Sequence, residues 1–290
     1  MLEQSTLTNR RAFGKLLIGS GMAVAAAAAS QSQSLAQTSP SGSRLKTIKD
    51  RGVLRVAAPV GEPPYFMKDL KSGEIVGACV EMAKDIASIL KVEVEFVDST
   101  WGQQIIQLQT DKVDLGMVST VDPGRALSVS FSVPYLQQPL GIVARPNFSG
   151  ATWADINKPE VRVGFDIGSS HEAAVRQNAP NATSTGFTTR DEVLLALQAG
   201  RLDCAAFLTI PALTAIKKVP NLGRFVVIND PLVTLPAGLV IPKEENREWR
   251  DFLDVWVYSN TASKKIGAWM RAAFAHSGIA EADIPSEVHF

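Results

Sequence analysis

At 290 residues, with 46% hydrophobic side chains and 29 basic residues balanced by 29 acidic ones, the chain is long enough for two lobes and has no charge bias. That balance excludes the basic footprint of a nucleic-acid binder. No Walker loop is present, Gly164 and Gly168 do not make the dinucleotide glycine pattern, and His171, His276 and His289 offer no zinc spacing, so neither cofactor nor metal is expected.

The first residues read as an export signal. Asn9-Arg10-Arg11-Ala12-Phe13-Gly14-Lys15 is charged, and Leu16 to Ala29 is an alanine-rich apolar run too short to cross a bilayer. Ser34-Leu35-Ala36 supplies the small residues of a cleavage site. The paired arginines before Phe13 match the twin-arginine type. Residues 1–36 are therefore expected to be a signal peptide, leaving 26 basic and 28 acidic residues from Gln37 onward. Residues 37–44, polar and rich in Pro, Gly and Ser, read as a linker. Export means an oxidising compartment, yet Cys79 at a helix start and Cys204 in an apolar strand pattern are read as separate buried thiols.

Strands and helices then alternate. Leu54-Arg55-Val56-Ala57-Ala58 reads as a strand, followed by the loop Gly61-Glu62-Pro63-Pro64-Tyr65-Phe66. Val80, Met82, Ala83, Ile86, Ile89 and Leu90 recur at helical spacing, and residues 92–97 alternate as a half-buried strand. Trp101, Ile105 and Leu108 open a helix running to Lys112-Val113-Asp114, with a strand directly after. The stretch VGFDIGSSHEAA, Val163 to Ala174, passes from an apolar strand through Gly-Ser-Ser into a helix. Free N–H groups at such a helix start bind carboxylate or phosphate, or are capped by Ser169 or Ser170.

Residues 191–208 repeat the earlier helix–strand layout. Aligning Asp114 with Asp203 puts Ile105 over Leu194, Leu108 over Leu197 and Lys112 over Arg201, which suggests two similarly built α/β lobes with a ligand cleft between them. Two amphipathic helices end the chain, one with Trp249, Phe252 and Trp256 on its stripe, the other with Ile266, Trp269 and Phe274. Ser170-His171-Glu172 contains the residue types of a hydrolase triad, but neighbours on one helical turn point in different directions, and a triad is assembled from separate segments.

Leu54-Arg55-Val56 with the Pro-Pro-aromatic loop, Gly77 and an acid-bearing helix resembles the opening of the family 3 extracellular solute-binding proteins. Val113-Asp114-Leu115, Asp122-Pro123-Gly124-Arg125 and Phe131-Ser132-Val133-Pro134-Tyr135 resemble their central signature, and Gly168-Ser169-Ser170-His171-Glu172 with Gly200-Arg201-Leu202-Asp203 their second lobe. The resemblance implies an α/β, two-lobed periplasmic binding protein fold whose lobes are joined by two hinge strands and close on the ligand. The crossings fall near residues 137–140 and 235–238, giving lobe 1 as 45–138 plus 238–290 and lobe 2 as 139–237. It further implies a monomeric periplasmic protein, not an enzyme, that captures a small carboxylate-bearing solute for the membrane permease of an ABC importer. A ligand-sensing subunit that presents its closed form to a membrane receptor is a further possibility of the same fold.

By position in the family, Arg125 grips the ligand carboxylate, Thr120 supports it, and Ser169 and Ser170 reach it from the other lobe. Trp101 falls at an aromatic wall, with Tyr65 in the loop beside it. Receptors for α-amino acids hold the ammonium with two acids; those positions are Pro59 and either Leu208 or Thr209 here. Either Glu62 replaces the missing acids or the ligand lacks the amino group, because an unpaired buried ammonium is costly. Cyclohexadienyl and arogenate dehydratases share the fold and add a general acid, for which Glu62 and Glu172 are the carboxyl candidates.

Overall fold

The computed structural model describes residues 42–219 and 221–290; the expected signal peptide and most of the expected linker lie outside them. Ser43 accepts from the Lys46 N–H at 3.3 Å and caps α1 (Arg44–Arg51), so helical order begins inside the stretch read as linker. β1 (Val53–Ala58) leads through the short hairpin of β2 (Met67–Lys68) and β3 (Ile75–Val76) to α2 (Ala78–Leu90) and β4 (Glu93–Asp98), which pairs parallel with β1. Helix α2 buries Cys79, Val80, Met82, Ala83, Ile86 and Leu90, whereas Ile89, one step off that stripe, is exposed. Helix α3 (Trp101–Gln109) is shorter than its sequence pattern, because Asp111 turns to φ +56° just beyond it.

The chain continues through β5 (Gly116–Thr120), β6 (Val129–Phe131) and the long β7 (Leu136–Ala144). Next come α4 (Trp153–Ile156), β8 (Arg162–Asp166), α5 (Ser170–Asn178), β9 (Thr183–Phe187) and α6 (Arg190–Gln198). β10 (Cys204–Leu208), α7 (Thr209–Lys218), β11 (Arg224–Val227), the long β12 (Thr234–Pro242), α8 (Glu248–Ala262) and α9 (Lys265–His276) complete it.

Two strands tie the halves together. The first part of β7, Leu136–Pro139, pairs antiparallel with Thr234–Ala237 of β12, while Leu140–Ala144 pairs with β10 and β11. Beyond Ala237, β12 pairs with β5 and β6. The apolar side chains divide at the same place. Leu54, Met82, Leu136, Leu239, Trp249 and Phe274 belong to one core; Leu140, Phe165, Ala206 and Ile228 belong to another, with a third around Leu197, Phe207 and Leu222. Ile210 and Leu213 are exceptions, lying after β10 yet packing into or against the first core. β8 pairs parallel with β9 and β10, so its carboxyl end opens on the junction, where parallel sheets place ligands. Cys79 and Cys204 are both buried and unbridged.

The internal likeness extends to single atoms. In the first half Asp114 Oδ2 accepts from the Arg55 N–H at 2.9 Å and from Arg55 Nε at 3.2 Å, and Oδ1 accepts from Nη2 at 2.9 Å. In the second, Asp203 Oδ2 accepts from the Arg162 N–H at 2.9 Å and Nε at 3.0 Å, and Oδ1 from Nη2 at 2.5 Å. The remaining Nη1 donates to the carbonyl of Asp111 in one half and of Gly200 in the other, both left-handed residues. Thr100 and Thr189 cap α3 and α6, so Trp101 and Arg190 are equivalent first residues of nine-residue helices.

Asp203 titrates below the ordinary carboxylate range, chiefly because the Arg162 side chain hydrogen-bonds its charged form. Its contribution to stability is present above the unfolded value of about 3.9 and is lost as pH falls through the lower folded value. Asp203→Asn is expected to flatten the loss of Tm on acidification below about pH 4. Melting curves across that range read it directly, and an unchanged acid limb contradicts the assignment.

Candidate functional site

A cleft of about 440 Å³ lies at the junction of the halves. The first half lines it with Tyr65, Trp101, Gln104, Thr120 and Arg125, the second with Asp166, Ser169, Ser170, His171, Arg190 and Leu208. A second hollow of about 350 Å³, bordered by Pro59, Glu62 and Thr189, shares Trp101, Asp166 and Arg190 with the first.

Arg125 begins a short turn after Asp122, whose Oδ1 accepts its backbone N–H at 2.8 Å. Its Nη2 reaches across the cleft to the Gly168 carbonyl at 2.6 Å. Burial lowers the guanidinium's pKa, with the charges of Asp122 and Asp166 opposing that shift. Among the described residues no carboxylate oxygen lies within 4.0 Å of it. The result is a mostly buried cation with most of its donors free, the condition under which an anion is bound with advantage. Thr120 Oγ1 and Ser170 Oγ meet at 3.2 Å beside it, again from opposite halves.

The Gly-Ser-Ser turn largely caps itself. Ser169 Oγ donates to the Asp166 carbonyl at 2.6 Å and accepts from the His171 and Glu172 N–H groups at 3.1 and 3.3 Å. Glu172 Oε2 accepts from the Gly168 N–H at 2.7 Å, and Oε1 takes Arg176 Nε at 2.8 Å. Ser170, one residue on, is the side chain of the turn that reaches the opposite half, beside the Gly168 carbonyl that meets Arg125. Gly168 has φ +76°, and a Cβ built there would stand 2.6 Å from the Cα of Gly102. Two glycines thus let the start of α3 and the start of α5 meet backbone to backbone.

The other expected residues are distributed less simply. Trp101 and Tyr65 line the cleft and meet edge to face, with ring centroids 6.2 Å apart. Glu62 faces the second hollow, buried in an ion pair with Arg190. Thr209 borders neither cavity; it is fully buried and its hydroxyl donates to the Pro139 carbonyl at 3.0 Å. His171 is structural: its Nδ1 lies 2.6 Å from Asp166 Oδ1 and its Nε2 3.0 Å from the Leu208 backbone nitrogen, which ties β8 to β10. Asp166 titrates low although burial pushes the other way, because His171 stabilises its charged form.

Arg190 was missed in the sequence. Its Nη1 donates to Glu62, Nη2 lies 3.4 Å from Asp166 Oδ2, and its guanidinium stands over the rings of Trp101 and Phe207 at 5.9 and 5.6 Å. A signal was there to read. A cation at the first position of a helix opposes the helix dipole, so something outside the helix must hold it.

A sequence profile of the bacterial extracellular solute-binding proteins, family 3, matches residues 54–269. The chain belongs to this family. Among curated relatives, the solute-binding chain is 25% identical over 162 residues to the ABC transporter arginine-binding protein 1 of Escherichia coli, spanning 55% of this chain and 65% of that protein's length. It is 24% identical over 220 residues to the cyclohexadienyl dehydratase of Pseudomonas aeruginosa, spanning 74% and 80% of the two chains. A solved ancestral amino acid-binding protein, described as a precursor of cyclohexadienyl dehydratase, superimposes with a TM-score of 0.70 at 28% identity, covering 81% of this chain and 99% of the other. The fold is thus the two-lobed α/β architecture of the periplasmic binding proteins, and the two halves are its lobes. Among the described residues no helix is long and apolar enough to cross a membrane, and no three His, Cys, Asp or Glu side chains cluster as metal ligands.

Proposed function

We propose that this solute-binding protein captures a small carboxylate-bearing solute, an amino acid or related organic acid, in the periplasm and presents it as a monomer to the membrane permease of an ABC importer. The observation that carries the reading is Arg125, a mostly buried guanidinium lining the interlobe cleft with no carboxylate within 4.0 Å among the described residues. A ligand carboxylate supplies the missing counter-charge, and Thr120 and Ser170 stand beside it from the two lobes. Because those groups come from both lobes, the ligand binds the closed form better than an open one and shifts the population toward it.

A thermal-shift panel of amino acids and their keto and deamino analogues tests this, since a ligand of the native state alone raises Tm with occupancy. The expected result is a shift with at least one carboxylate and none with its amide. No shift with any carboxylate overturns the reading. Closure itself depends on the two glycines. Gly168→Ala is expected to weaken binding of whichever carboxylate responds and to hold the lobes apart, read as a larger radius of gyration in small-angle scattering with ligand present.

The likeness to cyclohexadienyl dehydratase favours a second reading, an elimination on a cyclic dienol acid. The two carboxyl candidates for its general acid are already engaged as carboxylates, Glu62 by Arg190 and Glu172 by Arg176 and the Gly168 N–H. That engagement suits binding better than proton donation. Incubation with prephenate and arogenate decides: appearance of an aromatic product replaces the binding reading with the enzymatic one.

A further inference from the structure

Arg190 sits where a positively charged ligand group would sit. Its guanidinium is buried against two aromatic faces, Trp101 at 5.9 Å and Phe207 at 5.6 Å, and is flanked by the carboxylates of Glu62 and Asp166. Aromatic faces with two acids make a cage for a cation. Trp101 and Glu62 belong to the first lobe, Arg190, Phe207 and Asp166 to the second, so the cage exists only when the lobes are together. Among the described residues Arg190 Nε–H and Trp101 Nε1–H are both buried without a partner, so what the cage leaves over is hydrogen-bond donors, not acceptors.

We infer that Arg190 is a specificity-determining residue: it fills the cleft's cation position from within, so that the protein rejects solutes with a cationic side chain and accepts those with a neutral, hydrogen-bond-accepting group. Glu62 is then unavailable to a ligand ammonium, since its charge is taken up by Arg190. A second carboxylate on the ligand is also disfavoured, because the position already carries two acids against one guanidinium. The inference rests on the cleft being the ligand site.

The test compares L-arginine, its neutral isostere L-citrulline, and agmatine, which keeps the guanidinium but has no carboxylate, by isothermal titration against the full mature chain and its variants. The natural chain is expected to bind neither arginine nor agmatine. Arg190→Ala empties the cage, and is expected to bind arginine about tenfold or more tightly than citrulline, the scale of one charge-assisted hydrogen bond. Glu62→Gln in the Arg190→Ala background is expected to cancel that preference. If circular dichroism finds Arg190→Ala unfolded, Arg190→Gln, which keeps an amide N–H for Glu62 without the charge, carries the same comparison. Equal binding of arginine and citrulline by the folded variant means that only space was made, and overturns the inference. So does arginine binding by the natural chain as tight as by the variant. Agmatine separates the two levels: if it binds the variant while no carboxylate binds the natural chain, the cation position stands and the carboxylate reading falls.

Discussion

Replacing Arg125 by alanine is expected to lower the affinity for the carboxylate that most stabilises the natural chain by about tenfold to a hundredfold, the loss that follows removal of hydrogen bonds to a charged group. The guanidinium lies in the cleft, held by Asp122 at its backbone and by the Gly168 carbonyl at Nη2, which leaves its other N–H donors for the ligand. Arg125→Lys is expected to recover part of the loss, because an ammonium keeps the charge without the planar fork. Titration calorimetry on the three proteins measures the series. Equal affinity in the alanine variant would remove Arg125 from the site, and with it the carboxylate as the recognised group. The arginine also contacts the second lobe directly, so the variant is further expected to close less completely when saturated.

The largest effect on stability is expected at Asp114. This carboxylate is fully buried, yet three arginines converge on it: Arg44 Nη1 at 3.2 Å, Arg51, and Arg55 through Nε, Nη2 and the backbone N–H. It joins α1, β1 and the turn before β5, and its own carbonyl accepts the indole N–H of the buried Trp249 at 3.2 Å. Asp114→Ala leaves Arg51 without its carboxylate partner, Arg44 and Arg55 with the exposed Asp111 as their remaining one, and an unpaired N–H in β1. Removing one partner of a buried pair costs about 3 kcal/mol or more, and a urea titration is expected to show a loss of that size. Asp114→Asn, which keeps one acceptor, is expected to lose less. Asp203→Ala in the second lobe is expected to lose less still, because that carboxylate is partly exposed and meets one arginine within bonding distance. A loss below about 1 kcal/mol for Asp114→Ala would mean that the arginines disperse into solvent and that the cluster is a surface feature.

These two residues mark how the site and the fold were legible. Asp114 and Asp203 stood out as the ends of similar helix–strand segments, and the atom-for-atom clamp they form with Arg55 and Arg162 is the physical content of that similarity. Periodicity located the helices because an amphipathic helix must bury one stripe wherever it packs. It overran at α3, where left-handed Asp111 follows the helix end, and at Ile89, where one helical step separates core from solvent. Arg125, Thr120, Ser170 and Trp101 were legible as neighbours only through the family's order of motifs. They come from α3, the end of β5, the turn after it and the start of α5, and nothing local says that these meet.

The sequence by itself determined the alternation of strands and helices, the two similar modules and the chain's capacity to form two cores, because propensity, capping and hydrophobic spacing act over a few residues. Tertiary structure alone decided which charges face each other. Thr209 turned to the Pro139 carbonyl, and Ser169 was consumed in capping its own helix. Glu62, read as free to meet an ammonium, was taken by Arg190 from 128 residues away. The reason is range: an ion pair depends on where two folded lobes bring their surfaces, and no spacing along the chain encodes that distance.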